Sequence, residues 1–408
     1  MCRILLLKYF LSYAMVSAPN KYLKYIVQKC FVFVAIVLLL GITGNCNNRH
    51  EDVPHKGENK SQDNVITVEW DSTVIDIFYT GGQGNFFMKD SIITFADHYY
   101  AKIYNYDCNS KELISDHFGL GNGPNELQRF FYTTPIRNDT SFFIINNNMD
   151  VSLYSSQYKL NRKGIINFRW TGRYSGKYDS PEIYNFMLMT DFGANIYKYG
   201  ENLIIPLQPI IQYSCKDEII TRKHFIKSHI FGLLDINTME VNKVFGYYPP
   251  LYQEKSLPHF NFFSYIFDND TFYVNFPVDS LIYVYKYPDK LLYSFGVECK
   301  DIVRNYTSSN VINDDIYNDY KHCGMNTEIL NFPELGLFFR TYVKNTENAS
   351  YGMQIYDNTT YNLLADIDVP GHFKLLGYYN SYFYGITLVP KETDDNTYVT
   401  FYKIKITL

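Results

Sequence analysis

The chain has 408 residues, 18% of them aromatic, with 40 Tyr and 31 Phe against two Trp. A hydrophobic share of 46% is enough for a large core and excludes a disordered protein, and an aromatic-rich composition suits pleated, half-buried sheet surfaces. The small acidic excess, 42 Asp+Glu over 37 Lys+Arg, argues against a nucleic-acid partner, which asks for a basic face.

The N-terminus reads as a targeting segment, residues 1–45. Lys21, Lys24 and Lys29 precede an uncharged run from Phe31 to Ile42, which is shorter than the ~18–20 apolar residues that span a bilayer. A second apolar patch around Leu5–Leu7 allows a translation start at Met15. Thr43-Gly44-Asn45-Cys46 then resembles a bacterial lipobox, in which the cysteine receives lipid and becomes the new N-terminus. Asn45 departs from the small residue usual before that cysteine, although looser lipoboxes occur in Bacteroidetes. The competing reading is a plain signal peptide or an uncleaved anchor helix. Residues 46–61 form the lipidated Cys46 and a polar, flexible tether.

The body, residues 62–408, is written in short apolar or alternating runs broken by Asn, Asp, Gly and Ser, which is the signature of strands and turns. No segment keeps a 3.6-residue apolar period over three turns. Clear strands are Val65–Trp70, Phe142–Ile145, Asn202–Pro206, Thr271–Asn275 and Leu337–Arg340. A weak repeat runs through them: an alternating strand, often ending in Tyr, then a turn-forming residue. Its six copies are Lys102–Asp107, Asp150–Ser155, Ile230–Asp235, Leu281–Lys286, Gly352–Asp357 and Tyr398–Lys403. Anchored on Tyr106, Tyr154, Leu234, Tyr285, Tyr356 and Tyr402, the steps are 48, 80, 51, 71 and 46 residues. Three of these match the ~40–50 residues of a four-stranded propeller blade, and the two long ones carry insertions. The spacing predicts an all-β chain folded as a six-bladed β-propeller, with Val65–Trp70 pairing with the C-terminal Val399–Leu408 to close the ring.

The stretch His117-Phe-Gly-Leu-Gly-Asn-Gly-Pro-Asn-Glu-Leu127 resembles the connecting segment of TolB-like six-bladed propeller lipoproteins of Bacteroidetes, a group of unknown function. Val274–Tyr285 and Glu334–Arg340 look like strand pairs of that group. The resemblance implies fold and anchoring, and it carries no catalytic residue over.

No cofactor fingerprint stands out. Gly119, Gly121 and Gly123 lack the GxGxxG spacing and are followed by Pro124, so they read as a glycine-rich connection with positive φ values. Gly81-Gly82-Gln83-Gly84 reads as a tight loop. Asp314–Asp315 and Asp394–Asp395 read as solvated turns rather than calcium loops. The nine histidines are scattered, and three meeting on a propeller axis to hold a metal is the alternative to surface or core roles. Asp116 and Glu126 are a candidate carboxylate pair for glycoside chemistry. Cys108, Cys215, Cys299 and Cys323 of the body read as buried free thiols, with disulfides open if the chain is exported. The functional expectation is a non-enzymatic binding or scaffolding module of the cell envelope. It is anchored through lipid to the outer membrane, on either its periplasmic or its surface face, and its ligand is a protein, peptide or glycan. The alternative is an envelope glycoside hydrolase or lyase with its site on the axis.

Overall fold

The computed structural model describes residues 54–57, 66–77, 80, 83–123, 126–127, 130–146, 150–168, 195–208, 225, 228–255, 257–307, 314–347, 350–390 and 397–407. The targeting segment, Cys46, Met15, Cys215, Gly81–Gly82 and Asp394–Asp395 lie outside them. The described chain is all-β, with two short α-helices.

Strand β1 (Thr67–Asp76) comes first, followed by a chain of antiparallel meanders. Sheet I holds β2 (Gly84–Lys89), β3 (Ile92–Asp97), β4 (Lys102–Asp107) and β5 (Leu113–Phe118). Meander II holds β6 (Phe130–Arg137), β7 (Phe142–Asn146), β8 (Asp150–Tyr154) and β9 (Leu160–Ile165). After the short β10 (Asn167–Phe168), meander III holds β11 (Ile196–Tyr199), β12 (Asn202–Pro206), β13 (His229–Asp235) and β14 (Glu240–Tyr247). Helix α1 (Pro250–Glu254) precedes sheet IV, made of β15 (Ser264–Asp268), β16 (Thr271–Asn275), β17 (Ile282–Lys286) and β18 (Lys290–Phe295). Helix α2 (Asp314–His322) precedes sheet V, made of β19 (Met325–Phe332), β20 (Leu337–Asn345), β21 (Ser350–Asp357) and β22 (Leu363–Val369). Sheet VI joins β23 (Phe373–Tyr379), β24 (Tyr382–Pro390) and β25 (Thr397–Thr407) to β1. Meanders II and III share one nine-stranded sheet, because β6 and β11 pair in parallel through Ile136 and Ile196 and β10 pairs with β14.

Each of the six repeat copies falls on the third strand of its meander: β4, β8, β13, β17, β21 and β25. The turn-forming residue after that strand has a defined job. Asp107, Asp235 and Asp357 accept the backbone N–H groups of the two residues that follow the next one, and a left-handed residue, Lys111, Met239 or Tyr361, then closes the turn. The expected terminal pairing is present. β1 runs antiparallel to β25 with Trp70 opposite Ile404.

The core explains the aromatic composition. Successive residues of a strand point to opposite faces, and both faces here are buried. Phe86 faces Phe401 of sheet VI, while its neighbour Phe87 packs with Ile144 of meander II. Ile145 turns instead to Leu203 and Ile205 of meander III, and Ile204 turns to sheet IV. Phe231 of meander III stacks near Phe272 of sheet IV at 4.7 Å. Phe295 of sheet IV meets Phe338 of sheet V at 5.2 Å, and the adjacent Phe339 meets Phe383 of sheet VI at 5.0 Å. Tyr384 and Phe401 return to sheet I. A sheet covered on both faces reads as paired apolar residues rather than strict alternation, which is the pattern of Phe86-Phe87, Ile144-Ile145 and Phe338-Phe339.

Helix α2 corrects the reading of Asp314–Asp315 as a solvated turn. The pair opens a helix rather than a turn. A helix of nine residues is too short to show a sustained apolar period, and tertiary packing holds it: Asp319, one turn in, is buried.

Candidate functional site

The first strands of the meanders converge on one small cavity. Asn85 comes from β2, Tyr132, Thr134 and Arg137 from β6, Asn195 from the residue before β11, Ser264 from β15, Glu328 from β19 and Lys374 from β23. Neighbouring strands are tied to one another there. Asn85 Nδ2 donates to the Thr133 carbonyl of β6. Arg137 Nε donates to Asn195 Oδ1 at 3.3 Å, and the Tyr265 hydroxyl of β15 donates to the Asn195 carbonyl at 2.6 Å. Lys374 Nζ of β23 meets Glu328 Oε1 of β19 at 2.8 Å. His98 Nε2 donates to Asn85 Oδ1 at 2.9 Å, and burial holds that imidazole down at about 4. Burial also pushes the Tyr132 phenol well above its ordinary range.

The cavity gives water-sized molecules about 50 Å³ of room. That suits a few waters or a small ion, far below the roughly 300–1,000 Å³ of a pocket for a drug-sized ligand. Its one carboxylate, Glu328, is already matched by Lys374.

The two ends of the sheets differ. In a meander, the turns after the first and third strands leave from one end, and the turn after the second strand leaves from the other, with the link to the next meander. At the first end every turn is short: 90–91, 108–112, 138–141, 155–159, 200–201, 236–239, 269–270, 287–289, 333–336, 358–362 and 380–381. The long connections, 119–129, 207–228, 248–263 and 296–324, all belong to the second end. Surface loops on a rigid scaffold are where binding residues concentrate.

Two of these connections are built on buried polar groups. Asp319 of α2, 4% exposed, accepts His259 Nε2 at 2.9 Å and the Thr307 N–H at 2.6 Å. Burial lowers the His259 pKa, opposed by its Asp319 partner. Arg340 of β20 is fully buried and donates to the carbonyls of Ser280 at 2.7 Å and Val297 at 2.5 Å, to Gln354 Oε1 at 2.9 Å and to the Tyr356 hydroxyl at 3.0 Å. It stitches the 276–281 and 296–307 segments to sheet V.

The residues singled out in the sequence go elsewhere. Asp116 pairs with Lys102 at 2.6 Å on the outer strands of sheet I, while Glu126 accepts the Gly123 N–H at 2.7 Å, so each carboxylate serves a local partner. The glycine loop closes on itself, with Leu127 N donating to the Gly119 carbonyl and Gly121 N to the Leu127 carbonyl. The positive φ expected of its glycines falls instead on Phe118, at 66°. A Cβ on Gly121 would lie 2.0 Å from Glu126 Oε2, the movable end of an exposed side chain. Gly84 opens β2 rather than lying in a loop. The histidines disperse: His117 stacks on Tyr158, His322 pairs with Glu347 and His372 with Tyr351. Among the described residues no three His, Cys, Asp or Glu groups are placed to hold a metal. Cys108, Cys299 and Cys323 are buried free thiols. Among the described residues no helix is long and apolar enough to cross a membrane. The cavity residues Asn85, Arg137, Asn195, Glu328 and Lys374 were not singled out, because each lies alone in its segment and only the fold brings them together.

No protein-family model matches the chain, and no curated protein does. A solved structure, a member of the DUF4221 family from Bacteroides vulgatus, is similar with a TM-score of 0.60 at 12% identity, covering 85% of this chain and 99% of that one. A "Putative exported protein" from Bacteroides fragilis gives a TM-score of 0.45 at 11% identity, covering 87% of this chain and 99% of its own. The first likeness shows that this chain shares its fold with a protein from a family of unknown function.

Proposed function

We propose that the chain is a binding or scaffolding module of the bacterial cell envelope, a TolB-like six-bladed propeller held to the outer membrane by lipid on Cys46. Its ligand, a protein, peptide or glycan, is taken by the end of the propeller that carries the long connections. The observation that carries the reading is the asymmetry of the two ends, with short turns at one and every long connection at the other. The radial arrangement is supported by cores that link each meander to the next and sheet VI back to sheet I, and by the β1–β25 pairing that closes the series. The axial cavity is too small for a sugar chain, which favours the connections over the axis as the ligand site.

The test is site-specific photocrosslinking in living cells. Crosslinkers replace Tyr99, Tyr100 or Leu120, which are exposed at the long-connection end, or Lys89 and Asn380, exposed at the tight-turn end. Adducts confined to the first group support the reading. Adducts at neither end, together with cleavage of an envelope polysaccharide by the purified protein, would overturn it in favour of a glycoside hydrolase or lyase.

A further inference from the structure

Residues Pro54–Gly57, inside the stretch that composition reads as tether, are seated against the body. Pro54 accepts the Ser294 N–H at 2.9 Å, and Lys56 donates its N–H to the Ser294 carbonyl at 2.8 Å, so the segment lies parallel to β18 on the outer edge of sheet IV. Lys56 Nζ sits 3.7 Å from the centroid of the Tyr293 ring. Gly57 has φ +86°, and a Cβ on it would lie 2.3 Å from the Tyr361 carbonyl in the β21–β22 turn of sheet V. Backbone pairing, a cation over an aromatic face and a position that only glycine fills describe a specific seat. The seat also covers an edge strand that would otherwise offer unpaired backbone groups.

Direction follows from the register. β18 starts at the 287–289 turn, one of the short ones, and ends at the 296–324 connection. A segment parallel to it enters from the tight-turn end. We infer that Pro54–Gly57 is a strap that sets the membrane-facing side of the protein, with the tight-turn end of sheet IV against the bilayer and the long-connection end directed away. This rests on the proposed lipidation of Cys46. With the strap seated, residues 47–53 leave at most about 25 Å of fully extended chain between the lipid and the body, whereas without it residues 47–65 allow about 65 Å.

The experiment uses the full chain, purified from bacterial membranes and reconstituted in phosphatidylethanolamine/phosphatidylglycerol vesicles carrying a headgroup nitroxide. A fluorophore is placed by Lys290→Cys, at the tight-turn end of β18, or by Leu120→Cys, at the long-connection end, in a Cys215→Ser background. Intact mass reports lipid on Cys46, and hydrogen exchange reports the Lys56 and Ser294 amides. The expected result is lipid present, both amides protected, and quenching of the Lys290 probe but not of the Leu120 probe. Gly57→Val abolishes both the protection of those amides and the difference in quenching while β15–β17 stay protected. If the wild-type Lys56 amide exchanges as freely as an unstructured peptide, the strap is overturned whatever the state of Cys46. A protected strap on a protein lacking lipid at Cys46 overturns the anchoring reading and the orientation with it. Lipid and strap both present with equal quenching at the two probes overturns the orientation alone.

Discussion

Replacing Arg340 with Met tests how sheets IV and V are joined. The guanidinium serves three acceptors, the Ser280 and Val297 carbonyls and Gln354 Oε1, the last of which also accepts the Tyr356 hydroxyl at 2.6 Å. Hydrogen bonds from a charged donor are each worth about 1.5–3 kcal/mol, so three of them amount to roughly 4–9 kcal/mol. Against this stands the several kcal/mol that desolvating a guanidinium costs, which Met avoids. The net expectation is a loss of about 3–5 kcal/mol, since each buried acceptor left without its donor costs about 1–3 kcal/mol. With an unfolding entropy of about 2 cal/mol/K per residue over some 350 residues, that lowers Tm by roughly 4–7 °C. Differential scanning calorimetry reads it directly. Arg340→Lys is expected to behave much like Met, because an ammonium group cannot present the planar fork that reaches both carbonyls. A Tm within ~1 °C of the parent, with native circular dichroism, would refute the claim that this network carries the contact between the sheets.

Three further predictions follow from other parts of the structure. On the strand pair β1–β25, Glu69 stands opposite Lys405 and Asp71 opposite Lys403. Glu69→Lys with Asp71→Lys places like charges across the pairing and should cost about 1–2 kcal/mol, recovered by adding Lys403→Glu and Lys405→Glu; a quadruple variant no more stable than the double in urea would sink the argument. His98 is held by burial at about 4, below its ordinary 6.5. The unfolded chain therefore binds the extra proton first, so this contribution is intact above about pH 6.5 and falls by up to about 3 kcal/mol as the pH drops to 4. His98→Gln should show a smaller Tm loss between pH 7 and pH 4.5 than the parent, and equal losses would count against it. Burial, aided by the Asp319 carboxylate, pushes the Cys323 thiol up to about 11, and burial also raises Cys108 and Cys299. None of the three should react with a maleimide at pH 7.5 in the native protein, and all three should react in urea; native labelling of any one would contradict the assigned burial.

The third strand of every meander was readable because two local signals coincide there. Alternation with a bulky terminal residue marks the strand, and an Asp or Ser that ties down the next turn marks its end, as at Asp107, Asp235 and Asp357. The strand pairing of β1 with β25 was readable from the requirement that a cyclic array be completed. What was not readable depends on contacts distant in sequence. Glu328 and Lys374 form an ion pair across two meanders, and neither has a local pattern that sets it apart from a surface residue. Phe118 takes the left-handed conformation that its glycine-rich neighbours seemed made for, because Glu126, folding back on Gly123, lets the loop close without it. The seat of Pro54–Gly57 was hidden for the same reason. Its composition is polar, and only Tyr293, Ser294 and Tyr361, far along the chain, turn it into a fitted segment.

The aromatic excess follows from the way the sheets cover one another. A meander whose two faces are both covered by neighbours spends bulky apolar residues on many positions of its inner strands, and paired residues such as Phe338 and Phe339 do so, one to each side. The outer strands are less covered, and β9 is largely exposed. The cavity among the first strands is lined by Asn85, Arg137, Glu328 and Lys374, with Lys374 paired to Glu328 and Arg137 donating to Asn195, and it leaves about 50 Å³. The long connections lie outside the packed sheets. The edge of β18 is covered by the chain's own N-terminal segment. Insertions in the long connections cost little, because loop closure grows only slowly with length. The two expanded steps in the sequence repeat, 80 and 71 residues, fall at that end.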